Sequence, residues 1–241
     1  MKCCSVALAS AAVVGLWLGV APAKAATETW DFSSPTGALG TTHNYSSTPG
    51  GLIATAAGFL TALTNPNTAG AFSTPGNLFG KHDGTDPSGS VENGLGMQSL
   101  AGDTSGQNEI QAGTSFIRLS LPTSVGITLT VDSLTATEHF DIWGSTSATS
   151  GYTEIVTGGL ASNQGTPVAV SALCPGCTFF AVFADGLQGG GSTLPANVLL
   201  SAATSVIPLP GALPLFATGL AAFGLLGWRR KRKLVASQLT L

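Results

Sequence analysis

The chain has 241 residues and a formal net charge of −3, but its 9 basic and 12 acidic residues are segregated along it. All 12 acidic residues lie between Glu28 and Asp185, where Lys81 and Arg118 are the only basic ones, so two positive charges meet twelve negative for a local net of −10. A body this acidic lacks the basic footprint of a nucleic-acid or anionic-lipid binder, and no nucleic-acid partner is expected.

At the N-terminus, Lys2 precedes an apolar run over residues 6–20, and Ala23-Lys24-Ala25 has the small-x-small form of a processing site. Residues 1–25 read as a signal helix handled by the export translocon. Cys3 and Cys4 precede the apolar run and leave with it. Setting aside both apolar ends leaves about 180 residues, enough for one domain with its own core. With 26 of the chain's 32 glycines and few long charged side chains, that domain has an extracellular, β-rich composition.

Trp30 and Phe32 fall on one side of an extended segment, as a first strand places them. Residues 52–63 are Ala-rich, yet Ile53, Thr55, Ala57 and Phe59 alternate, which favours a strand over a helix. Residues 64–113 carry dense turn signals: Pro66, Pro75, Pro87, Asp83-Gly84, Ser88-Gly89, Asn93-Gly94 and Ala112-Gly113. They read as a long surface excursion pinned by Leu78, Phe79, Leu95, Met97 and Leu100.

Beyond residue 114 the period is two. Ile117, Leu119 and Leu121 form one half-buried strand, and Val125, Ile127, Leu129 and Val131 the next, joined by a short turn at residues 122–124. Phe140 and Ile142, then Tyr152 to Val156, then residues 168–173, 178–184 and 197–202 complete the series. Short strands, Gly/Pro turns and no helical repeat predict an all-β fold, an antiparallel β-sandwich of jelly-roll-like kind over residues 26–205.

Cys174-Pro175-Gly176-Cys177 sits between two apolar runs and reads as a hairpin tip. A redox pair wants a helix start after the motif, and zinc wants four ligands. A short disulfide in an oxidising compartment is preferred over a redox pair, half a metal site or free thiols. Asp83-Gly84-Thr85-Asp86 resembles a piece of a calcium loop, but Pro87 and Gly94 fall where an EF-hand needs ligands. An irregular calcium site using Asp83, Asp86 and Glu92 is the alternative to a solvated turn. Glu138, Asp141 and Glu154 would have to meet at one sheet edge to act as a glycosidase pair, against the plainer reading of solvent-facing strand ends. Trp30 and Trp143 are candidates for stacking on a sugar or for the core. Nucleophile elbows, zinc-protease and phosphate-loop motifs are absent from the sequence, so no catalytic residue, resident metal or cofactor is expected.

From Pro208 to Trp228 run 21 residues without a charge, and about 20 suffice to cross a bilayer core. Arg229, Arg230, Lys231, Arg232 and Lys233 follow directly, a cluster held on the cytoplasmic side. Residues 206–233 thus read as a sorting signal with a transmembrane helix and basic tail, and residues 234–241 as a cytoplasmic end.

Ile207-Pro208-Leu209-Pro210-Gly211, the apolar helix and the basic cluster together resemble the PEP-CTERM sorting signal, most closely its VPLPA variant. Ile207 stands where Val is usual, and Gly211 where Ala is usual. The resemblance covers about 30 residues. It implies export in a Gram-negative bacterium and recognition of Pro208, Leu209, Pro210 and Gly211 by an exosortase-like membrane processing enzyme. Such bodies are often linked with exopolysaccharide, which makes it a further implied partner. Glu92-Asn93-Gly94-Leu95-Gly96, Asn108-Glu109-Ile110 and Phe116-Ile117-Arg118-Leu119 also resemble a body recurring before such tails. That likeness implies that Glu92, Asn93, Asn108 and Glu109 gather beside one strand edge, to bind a metal ion or to cap loops. The expectation is a non-catalytic cell-surface or extracellular-matrix protein, with a carbohydrate-binding module or a secreted carbohydrate-active enzyme as the alternative.

Overall fold

The computed structural model describes residues 25–85, 91–99, 107–134, 137–160, 164–187 and 195–207, and these fold into two antiparallel sheets. One sheet runs in the order β1 (Ala26–Asp31), β14 (Asn197–Ile207), β7 (Val91–Met97), β6 (Leu78–Thr85), β2 (Gly37–Gly40). Here β10 (Thr128–Asp132) and β8 (Ile110–Gln111) also pair with β14. The other runs β12 (Thr153–Gly159), β11 (Glu138–Ser145), β13 (Phe179–Gly186), β9 (Ser115–Ser120), β4 (Ile53–Leu60), β3 (Thr42–Ser46), with β5 (Pro75–Gly76) on β4.

The period-two pattern explains how the sheets meet. Trp30, Leu78, Leu95, Leu129, Val131, Leu200 and Ala203 from the first sheet share one buried cluster with Ala54, Ile117, Leu119, Phe140, Ile142, Phe180 and Val182 from the second. This is the interior of a β-sandwich, as the alternation implies. The central strands β9 and β13 are apolar on both sides. Their outward residues Phe116 and Phe183 stack with centroids 4.5 Å apart and join Ala57, Phe59, Tyr152 and Ala181 in a second cluster. Phe72 packs over it from the loop after β4, and the Arg118 guanidinium lies 5.2 Å from the Phe59 centroid and 5.6 Å from that of Phe72. A cation over aromatic faces lets this one basic residue of the sheet lie against an apolar patch.

Four local expectations are corrected. Residues 117–121 and 125–131 do not form a hairpin: β9 and β10 belong to different sheets, so the turn between them crosses the sandwich. Within the expected surface excursion, residues 78–85 and 91–97 instead pair as β6 and β7 and carry buried Leu78, Leu95 and Met97. Asp83-Gly84 and Asn93-Gly94 lie inside those strands rather than at turns. The apolar run at residues 168–173 is mainly one helical turn, α1 (Val170–Leu173), so the cysteine pair closes a helix-to-strand turn and not a hairpin tip. Among the described residues no helix is long and apolar enough to cross a membrane. The expected signal helix and transmembrane segment, with Pro208 to Gly211 and Arg229 to Lys233, lie outside the described residues.

Candidate functional site

The richest polar constellation grows from the β6–β7 pair. Lys81 on β6 stands opposite Gly94, and the ladder slips between Lys81 and Gly84 so that Gly84 meets Glu92. Glu92, two residues along the partner strand from Gly94, lies within diagonal reach of Lys81. Glu109 arrives from the segment before β8. A Cβ on Gly96 would lie 2.2 Å from the Asn108 carbonyl oxygen and 2.7 Å from the Glu109 Cα, so only glycine lets this segment rest on β7. Asn108 holds the turn: its Oδ1 accepts the Ser99 N–H at 3.0 Å, and its own N–H donates to Ser99 Oγ at 2.9 Å. Ser133, just after β10, completes the set.

Lys81 Nζ donates to Glu92 Oε2 and, at 2.7 Å, to Glu109 Oε1. The Ser133 hydroxyl donates to Glu92 Oε1 at 2.7 Å and to Glu109 Oε1 at 3.2 Å. Both carboxylates are buried, at 4% and 6% exposure, so nearly all their polar contacts must come from protein. Burial pushes the Glu109 carboxyl up, and the Lys81 hydrogen bond and charge pull against it, for a net value of about 7. Burial opposes the charge on Lys81, but hydrogen bonds and charge from Glu109 and Glu92 outweigh it and raise its pKa. Asn108 and Ser133 are the two non-glycine residues at positive φ among the described residues (57° and 64°), and both flank this cluster. Backbone outliers gather where surrounding contacts over-determine the conformation.

The sequence resemblance named Glu92 and Glu109, and the structure brings them together. Asn108 supports the backbone beside them, and Asn93 is the half-buried neighbour of Glu92 on β7. Asp83 lies in β6, and Asp86 is outside the described residues. The cation between the two glutamates is the Lys81 ammonium, and among the described residues no group of three or more His, Cys, Asp or Glu is placed to hold a metal ion. Lys81 and Ser133 were missed. The available signal was that Lys81 is one of only two basic residues in an acidic body, and such a residue needs a buried partner wherever it is enclosed.

The remaining candidates separate. Trp30 is fully buried and its indole N–H donates to the Leu52 carbonyl at 2.8 Å, so it offers no face to a sugar. Trp143 is half-buried against the outer aromatic cluster, opposite Glu154. Glu138 shares the inward side of Phe140 and Ile142, and its Oε1 accepts the Asn197 N–H at 3.1 Å. Asp141 faces outward and accepts the Gly158 N–H at 2.8 Å. Burial raises the Asp141 pKa, the Gly158 bond lowers it, and Asp185 and Glu154 raise it further. Glu138 and Asp141 therefore sit on opposite faces of β11, and the three carboxylates do not form one catalytic edge.

Cys174 and Cys177 are joined by a disulfide. It packs on β11, where a Cβ on Gly144 would come within 3.0 Å of Cys174 Sγ and 3.3 Å of Cys177 Sγ. Replacing both cysteines by serine is expected to cost about 2 kcal/mol, since the closed loop is short. A thiol reagent should label neither residue until the protein is reduced, and labelling without reduction would contradict the bond.

A scan against protein-family models found no match, and searches of curated proteins and of solved structures likewise found none.

Proposed function

We propose that this chain is an exported, non-catalytic cell-surface or extracellular-matrix protein. Its β-sandwich body, of jelly-roll-like connection, is delivered by a signal helix and sorted by the C-terminal signal. The observation that carries this reading is the Cys174–Cys177 disulfide, a bond that persists outside the reducing cytosol. The apolar ends flanking an acidic body support the same route. In this reading the C-terminal span anchors the precursor in the inner membrane. The exosortase-like enzyme acts at Pro208-Leu209-Pro210-Gly211, and Arg229 to Lys233 hold the tail inside.

Expression in a Gram-negative host with an exosortase-like enzyme tests the route. Mass analysis of the mature protein should place its N-terminus near Thr27. Replacing Pro208, Leu209 and Pro210 with alanine should leave an uncleaved membrane form. Retention of residues 1–25 on the mature protein would remove the signal-peptide reading. Unchanged processing of the alanine variant would reduce the tail to a plain anchor.

A further inference from the structure

We propose that Lys81 and Glu92 condense into an intramolecular amide, an isopeptide cross-link between β6 and β7, with Glu109 carrying protons and Ser133 holding the carbonyl oxygen. This is a self-modification of the body and stands independently of how the chain is exported.

The geometry distinguishes the two oxygens of Glu92. Its Oε2 meets the Lys81 Nζ, and its Oε1 accepts the Ser133 hydroxyl at 2.7 Å. Glu109 Oε1 sits 2.7 Å from the same Nζ, so a second carboxyl touches the nucleophile, and its share of the Ser133 hydroxyl is the longer one at 3.2 Å. In the reaction Nζ first gives a proton to Glu109. Its freed lone pair attacks Glu92 Cδ, the Nζ–Cδ bond forms, and the negative charge that develops on Oε1 is met by the Ser133 O–H. Nζ loses a second proton, both protons end on Oε2, the Cδ–Oε2 bond breaks, and one water leaves. Glu109 is returned to its starting state, and no oxidant, reductant or cofactor enters.

Three physical arguments favour the step. Reacting groups held in contact gain effective concentrations of about 10⁵–10⁸ M over free ones. A carboxyl held near neutrality by burial can take a proton and give it back at physiological pH. Finally, the starting ion pair is buried, and its two charges carry a desolvation cost that a neutral amide does not.

The test is the mass of the purified full chain after reduction of its disulfide. The expected mass is lower by one water than the sequence of the processed protein demands, and digestion should yield a branched peptide joining Lys81 to Glu92. Lys81→Arg should restore the full mass. Glu109→Gln, nearly isosteric, should slow water loss by at least tenfold in a time course started from the denatured chain, with the folded circular-dichroism spectrum retained. Full mass in the wild-type protein would overturn the proposal whatever the variants do, and so would a branch located at Glu109 instead of Glu92.

Discussion

Truncating Trp30 to alanine is expected to lower the unfolding free energy by about 3–5 kcal/mol. The side chain is fully buried in the cluster between the sheets, on a strand whose ladder partner is β14. Two losses combine. The indole's removal leaves a cavity that the surrounding Leu and Phe side chains fill only in part. The Leu52 carbonyl loses the indole N–H at 2.8 Å but keeps the Ser47 N–H at 2.8 Å, so the second loss is one hydrogen bond of about 0.5–1.5 kcal/mol. Trp30→Phe keeps most of the apolar volume and should cost roughly the hydrogen-bond part alone. Urea midpoints for the three proteins, compared at unchanged m-value, measure both terms. A Trp30→Ala protein within about 1 kcal/mol of wild type would mean that β1 contributes little to the folded body.

Lys81→Met should be as damaging, but only at the right pH. It strips the cation from between two buried carboxylates, and breaking such a pair from one side costs about 3–5 kcal/mol. The Glu109 carboxyl has a folded pKa of about 7 against an ordinary value of 4.5. The folded state therefore binds this proton more tightly than the unfolded state does. Its contribution is complete below about pH 4.5 and is lost as pH rises through about 7. The wild-type protein should thus be less stable at pH 8 than at pH 5 from this group. Without Lys81, the hydrogen bond and charge that pull the Glu109 pKa down are gone, so its pKa climbs further. The variant should approach wild type near pH 5 and fall furthest behind near pH 8. The comparison is made on protein in which Lys81 and Glu92 are not joined, because an amide between them removes the cation on which this pH dependence rests. A variant deficit of the same size at pH 5 and pH 8 would sink this account of the cluster.

The sequence pattern revealed the strands whose two faces differ. Alternation at Ile117, Leu119 and Leu129, Val131 gave β9 and β10, because Arg118, Ser120, Thr128 and Thr130 interrupt the apolar side chains that meet the core. It could not say that these strands lie in different sheets, since a short turn looks alike whether it folds back or crosses over. Around β6 and β7, Asp-Gly and Asn-Gly pairs imitated turns, and the pairing that overrides them comes from partners far along the chain. The cluster shows the same limit. Glu92 and Glu109 were legible through a resemblance, while Ser133 was not, because nothing near residue 133 announces that β10 delivers it to a glutamate 41 positions earlier. The cysteine pair was legible because a two-residue gap fixes its geometry locally.

Strand β14 gathers β1, β7, β8 and β10 along its 11 residues. It is also the last segment of the body to be synthesised, and apart from a single bridge to Thr48 it supplies the ladder for β1, the first. The first sheet is therefore a clasp that stays undone until the final strand arrives. Strands β1, β7, β8 and β10 must each wait with an open edge, and the loop closed by joining β1 to β14 spans nearly the whole body, the slowest kind of contact to form. On the export route proposed above, a chain built in this way stays threadable until β14 has crossed. The order of the strands along the sequence thus acts as a timer, delaying completion of the first sheet until its last strand is available.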